Sequence, residues 1–342
     1  MPRATKRNAI TDSTSLSEIN PINKQLLNDF MDYLKSIQRS ESTISVYRND
    51  LEIAFVWALK RINNAPFHKW TKRNIMQFQN YLVNENENSP ARVRRIKATL
   101  SSLSNFIENI LDEEPEFAGF RNIISKIESP PAATVREKTV LTEEQIKCLF
   151  DRLIEKKQYE KACMLALAAF SGRRKAELVR FKVAYFDDAN IIYGSLYKTP
   201  EPVRTKGRGK GKFIYLYTLA KDFKPYFDLW MADRKEKGIE SEWLFPDAAN
   251  PNAHMNASTL SSWANSFSAI LDVDFYWHAM RHMFVTRLKK ARIPDGVIQS
   301  IIGWASADLV QVYTDTSTDD QLMYYFDDNG IKQNSAASIT DV

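Results

Sequence analysis

The stretch "FYWHAMRHMF", residues 275–284, sets two histidines and an arginine inside a run that is otherwise aromatic and apolar. A helix through it brings His278 and Arg281, three residues apart, onto one face a turn from each other. Taken alone, a His-x-x-Arg pair reads as a buried polar pair satisfied by its neighbours. Three other stretches downstream of residue 139 bear on it. One is "SGRRKAELVRF" (171–181), where a glycine closes an apolar run and two arginines and a glutamate open the next segment. Another is "VRTKGRGKGKF" (203–213), a Gly-, Lys- and Arg-rich loop between two strand-like segments. The last is "IIGWASADLVQVYTDTS" (301–317), with Trp304 nine residues before Tyr313.

The chain has 342 residues, long enough for two cores. Its two cysteines, Cys148 and Cys163, are fifteen apart without a CxxC, which excludes a disulfide framework and a cysteine-based zinc site. No carboxylate cluster has metal-ligand spacing, so no metal and no cofactor is expected. Neither a secretory h-region nor a membrane-length apolar run is present, and the expectation is a cytoplasmic protein. Lys plus Arg number 47 against 42 Asp plus Glu, a net charge of +5. The excess is small but clustered: "KWTKRN" (69–74), "ARVRRIKATL" (91–100) and 203–213 contain no acid, the pattern of a phosphate-binding track.

Periodicity divides the chain. Residues 1–20 are polar and aperiodic and read as a flexible arm. Residues 21–112 read as a bundle of four helices; "NKQLLNDFMDYLKSI", for example, puts Leu27, Phe30, Met31, Leu34 and Ile37 on one stripe. Ser89-Pro90 suits a cap and first helical position. Residues 113–138, with acids, a glycine and a Pro-Pro pair, read as an interdomain linker. A second domain, 139–330, opens on the capping-box pattern Thr142…Gln145 and adds strand-like segments at 190–198 and 212–219. It reads as helical again from 220 to about 327, before a disordered tail at 331–342. The fold class is thus two-domain and mostly α: a helical bundle, then an α+β domain with a small antiparallel sheet.

The four stretches, in this order and behind a helical domain, resemble the tyrosine recombinases, the phage-integrase family of site-specific DNA recombinases; the resemblance spans roughly 22–330. Gly172-x-Arg174 with Glu177-Leu178 matches its first signature and Lys206 its hairpin lysine. His278 and Arg281 match its His-x-x-Arg, Gly303-Trp304 its Gly-His or Gly-Trp, and Tyr313 its nucleophile. Arg173 stands where the family is usually apolar, and Lys210 and Lys212 share the hairpin with Lys206. Tyr324 and Tyr325 are rival tyrosines without basic neighbours.

The resemblance implies a core-binding domain and a catalytic domain acting on double-stranded DNA with specific sites, as a homotetramer, through a Holliday junction, without metal or ATP. Tyr313 is then the nucleophile, storing the bond energy as a 3′-phosphotyrosyl ester. Arg174 and Arg281 grip the non-bridging oxygens and Lys206 is the general acid. His278 holds the phosphate or assists the tyrosine proton, Trp304 donates to a phosphate oxygen, and Glu177 orients Arg174. Arg92, Arg94, Arg95, Lys97, Lys72, Arg73, Arg204, Arg208 and Lys210 are the expected DNA contacts. The motif at Trp304, departing from the commoner Gly-His, favours a mobile-element integrase over a dimer resolvase or inversion recombinase. A type IB topoisomerase and a catalytically silent DNA-binding protein are the remaining readings.

Overall fold

The computed structural model describes residues 10–131, 141–205 and 213–304, together with the backbone of two short strands at 326–327 and 330–331. The chain divides into two compact units, one formed by the N-terminal 130-odd residues and one by the remainder.

In the first unit each α-helix begins at a side-chain cap. Asp12 accepts from the Ser15 amide to start α1 (Ser13–Glu18), and Asn20 caps α2 (Pro21–Ser36). Ser40 caps α3 (Glu41–Arg61). Thr71 and Asn74 form a reciprocal capping box on α4 (Lys72–Asn80), and Ser89 caps α5 (Pro90–Ile110) with proline in its first turn. With nine residues α4 is too short to persist alone. Its cap, worth about 1 kcal/mol, and the burial of Ile75 and Phe78 hold it. It runs into one π-helical turn, Tyr81–Glu85. The core is built from Phe30, Leu34, Leu51, Phe55, Trp57, Leu100, Leu103 and Ile107, all nearly inaccessible.

Two sequence expectations are corrected here. The expected arm contains a helix, Ser13–Glu18. Asn64, in the left-handed region at the end of α3, bonds both Asn20 and the Glu18 carbonyl, fixing the start of the chain against the bundle. Residues 113–131 are not a free linker either. Phe117 and Ile124 lie in the same core, and the buried Lys97 amine donates to the carbonyls of Ile127 and Glu128 at 2.7 and 3.0 Å.

The second unit opens with α6 (Glu143–Glu155), capped reciprocally by Thr142 and Gln145. The apolar α7 (Tyr159–Ser171) follows, buried along almost all its length. It stops at Gly172, whose φ is +63°. A Cβ there would come within 2.5 Å of the Phe284 ring and 3.1 Å of Ile302, so the missing side chain lets this turn press against two later helices. The short α8 (Lys175–Leu178) leads to β1 (Ile191–Ile192), β2 (Leu196–Lys198), β3 (Val203–Arg204), β4 (Phe213–Ile214) and β5 (Tyr217–Leu219). These form an antiparallel sheet in the order β1-β2-β5 and a separate antiparallel pair β3-β4.

Then come α9 (Ala220–Glu236), α10 (Thr259–Leu271), α11 (Trp277–Lys290) and α12 (Asp295–Ile302). The helical reading from 220 to about 327 holds for these four elements but is interrupted after α9 and gives way to a strand at its end. Arg234 donates to the carbonyls of Ser241, Trp243 and Leu244, folding an irregular segment onto α9. Near the end, β6 (Phe326–Asp327) pairs antiparallel with β7 (Gly330–Ile331). The remainder of the expected tail, 332–342, lies outside the described residues. No helix among the described residues is long and apolar enough to cross a membrane.

Candidate active site

Gly172 ends α7 so sharply that the next two residues point to different places. Arg174 becomes the residue before α8. Its backbone amide donates to Glu177 Oε2 at 3.0 Å and its Nη1 to Glu177 Oε1 at 3.2 Å. Its side chain remains about one-third exposed while Glu177 is buried. Arg174 and His278, with Lys175, Ser261 and Tyr276, line a cleft of about 450 Å³. His278 enters from the first turn of α11. Lys175 was not singled out from the sequence, although it directly follows the two arginines; its amine donates to Ser261 Oγ at 3.0 Å.

Arg173 turns inward and is 1% exposed. It donates from Nη2 to the Ile301 carbonyl, in the last turn of α12, where a cation also complements the helix dipole. Its Nε and Nη1 have no hydrogen-bond partner among the described residues. Burial pulls its pKa down to about 10, against the opposing charge of Glu177.

Arg281 departs from expectation more. The shared helical face with His278 predicted that both would reach one phosphate. Arg281 is instead fully buried, donating from Nη1 to the Gly172 carbonyl at 3.0 Å and from Nη2 to the Ile302 carbonyl at 3.4 Å. Glu177 Oε2 lies 3.9 Å from its Nη1, so one buried carboxylate stands between the two arginines. The guanidinium carbon lies 5.1 Å from the centroid of the Trp304 ring. Trp304, also buried, follows Gly303 with φ +77°. Arg281 thus braces the end of α7 against the end of α12.

Part of His278 is open to solvent, yet the packing around its ring removes enough water to lower its pKa, and the nearby positive charges of His282, Arg281 and Arg174 act in the same direction, bringing it to about 4. The His282 ring sits edge-on with centroids 5.4 Å apart. The imidazole is therefore neutral at pH 7. A folded-state pKa below the unfolded value of about 6.5 means that the stability it contributes is complete above pH 6.5 and is lost as the pH falls toward 4. An NMR titration of His278 in DNA-free protein is expected to show a midpoint near 4; a midpoint at 6.5 or above would show a solvated, uncoupled ring.

Of the expected DNA contacts, Arg94, Lys72, Arg73 and Arg204 are exposed and Arg92 is half-buried. Arg73 borders a groove of about 570 Å³ with Trp57, Arg61, Met76 and Glu85. Lys97 must be withdrawn: its amine is held on two carbonyls, and burial lowers its pKa. Arg95 is committed to the wholly buried Asp50 at 2.8 Å, whose other oxygen accepts from Thr99. Burial raises the Asp50 pKa, and Arg95 opposes that rise. Lys206, Arg208, Lys210 and Tyr313 lie outside the described residues, as do Tyr324 and Tyr325.

Residues 139–319 match the model of the phage integrase family, and residues 26–116 that of its N-terminal SAM-like domain. The SPbeta prophage-derived recombinase-like protein YomM of Bacillus subtilis is 29% identical over 244 residues, covering 71% of this chain and 70% of that protein. Tyrosine recombinase XerD of Oceanobacillus iheyensis is 24% identical over 302 residues, covering 84% and 92%. Among solved structures, the XerH site-specific recombinase in a post-cleavage complex with its palindromic difH substrate superposes with a TM-score of 0.66 at 15% identity, over 88% of this chain and 83% of that one. With a helical SAM-like unit ahead of a catalytic unit in which Arg174, Glu177, His278, Arg281 and Trp304 come together, the chain belongs to the phage integrase family of tyrosine recombinases, enzymes that transfer DNA strands.

Proposed function

We propose that the protein is a site-specific recombinase whose Tyr313 cleaves DNA through a 3′-phosphotyrosyl intermediate, and that it serves as the integrase of a mobile element. The observation that carries the chemistry is the cleft shared by Arg174 and His278, with Glu177 buried between Arg174 and Arg281. The Tyr313 oxygen attacks phosphorus; the P–O5′ bond breaks as the P–O(Tyr) bond forms, so no external energy source is needed for rejoining. Neutral His278 takes the tyrosine proton and Arg174 compensates the charge growing on a non-bridging oxygen. Lys206 gives a proton to the departing 5′-oxygen. DNA bearing the site is enclosed by two protomers per site, four in the recombining complex.

The general acid has its own test. Lys206→Ala is expected to slow cleavage of ordinary DNA but to spare a substrate with sulfur at the bridging 5′ position, because a thiolate departs without protonation. Rescue of Lys210→Ala, and not of Lys206→Ala, would move the acid to Lys210.

Similarity to a prophage-derived protein supports the integrase role; similarity to XerD supports a second reading, a dimer resolvase. Sequencing DNA trapped covalently on the protein in cells separates them. Cleavage at the two ends of an inserted element supports integration, and cleavage at one chromosomal locus supports resolution.

A further inference from the structure

The β3-β4 pair carries a second feature that the cleavage chemistry does not use. Its register sets Val203 opposite Ile214 and Arg204 opposite Phe213. Side chains alternate across a strand, so Val203 and Ile214 turn toward the interior, where both are at least partly buried. Arg204 and Phe213 turn outward. Phe213 is 53% exposed, and Tyr215, two residues on, is 41% exposed. Lys198 of β2 lies 4.5 Å from the centroid of the Tyr215 ring. Arg180 approaches the same edge, donating to the Arg204 carbonyl at 2.7 Å. The nearby acid Glu201 is engaged by the Tyr185 hydroxyl at 2.6 Å and faces the Lys182 amine at 3.5 Å. Two outward rings are thus bordered by three cations.

This combination selects its partner. Intact duplex presents phosphates and groove edges, and its base faces are already stacked, so exposed rings gain nothing from it. A protein interface tolerates arginine beside its aromatic anchors but is depleted in lysine, whereas Lys198 sits directly at the Tyr215 ring. Unpaired nucleotides offer both a π-face for the rings and a phosphate for each cation. We propose that Phe213 and Tyr215 form a stacking platform for unpaired DNA bases, the strand that cleavage releases next to the site. This deepens the recombinase reading and rests on it: Ile214 of β4 packs against Gly303, the residue before Trp304, so strands that are cut and exchanged leave nucleotides without partners beside this pair.

The full chain carrying Phe213→Ala and Tyr215→Ala is expected to lose roughly tenfold or more of its affinity for a single-stranded oligothymidylate, with duplex affinity and covalent adduct on a nicked suicide duplex within about twofold of the parent. Joining to an incoming strand is expected to slow. Equal losses on single strand and duplex, or no loss on either, would overturn the platform. Should the double variant fold poorly, Phe213→Trp supplies a second readout. Its added indole fluorescence, measured against the parent protein, is expected to be quenched by the oligothymidylate and not by duplex; absence of that quenching also overturns the proposal. If the parent forms no adduct on any suicide duplex while stacking persists, the recombinase reading fails and the platform stands.

Discussion

Tyr313→Phe is expected to bind duplex DNA as tightly as the parent and to form no covalent protein–DNA adduct. The substitution removes one oxygen and leaves the ring, so packing, charge and the phosphate-gripping residues are unchanged while the only atom able to take the phosphoryl group is gone. The measurement is a nicked suicide duplex, from which the released fragment diffuses away and leaves any phosphotyrosyl product trapped on a denaturing gel. An adduct that persists in Tyr313→Phe would transfer the role to Tyr324 or Tyr325, the two other tyrosines of the C-terminal segment, and would break the nine-residue spacing from Trp304 on which the assignment stands.

Arg174→Ala is expected to reduce single-turnover cleavage by roughly two to three orders of magnitude, since a lost donor to a developing oxyanion costs about 3–4 kcal/mol. The effect should be nearly pure in the chemical step. Arg174 is partly exposed, and removing it leaves Glu177 with Arg281 still 3.9 Å away. Arg281→Ala has a different signature. It strips the Gly172 and Ile302 carbonyls of a buried donor while Glu177 keeps its bonds from Arg174, so a loss of stability of about 1–3 kcal/mol accompanies any loss of rate. Thermal unfolding beside the cleavage assay separates the two. A normal rate in Arg174→Ala with collapse in Arg173→Ala would exchange the roles of the neighbouring arginines.

The parts of this structure that could be read from sequence are those settled within a turn or two of chain. Ser89 before Pro90 and Thr142 before Gln145 announce α5 and α6 because a cap and its amide lie three residues apart. The helical bundle and the small antiparallel sheet follow from apolar periods of 3.6 and 2. What escaped depends on distant partners. The helix at Ser13–Glu18 is fixed through Asn64, which bonds the chain just after it. Phe117 and Ile124 look like stray apolar residues among acids until the fold packs them into the core and Lys97 holds the carbonyls of Ile127 and Glu128, some thirty positions after it. The site shows the same limit. Spacing placed His278 and Arg281 on one face, but not the α12 carbonyls that this face meets twenty-one residues later. Likewise, Gly172-x-Arg marked Arg174 for the cleft, whereas nothing local in the sequence says that Arg173 would be buried against Ile301.

The two basic side chains of α5 that are held in the fold also bear on how the protein grips a polyanion in solution. Each phosphate that a cation neutralises frees about 0.9 of a condensed counterion, and that release sets how steeply affinity falls with salt. Four cations on α5 would contribute about −3.6 to the log–log slope. Lys97 has no free amine to offer, and Arg95 arrives at the DNA already neutralised by Asp50. Arg92 and Arg94 remain, for about −1.8. On the proposed DNA-binding reading, α5 is therefore expected to add only a shallow salt dependence, with retention at high ionic strength left to contacts elsewhere in the chain.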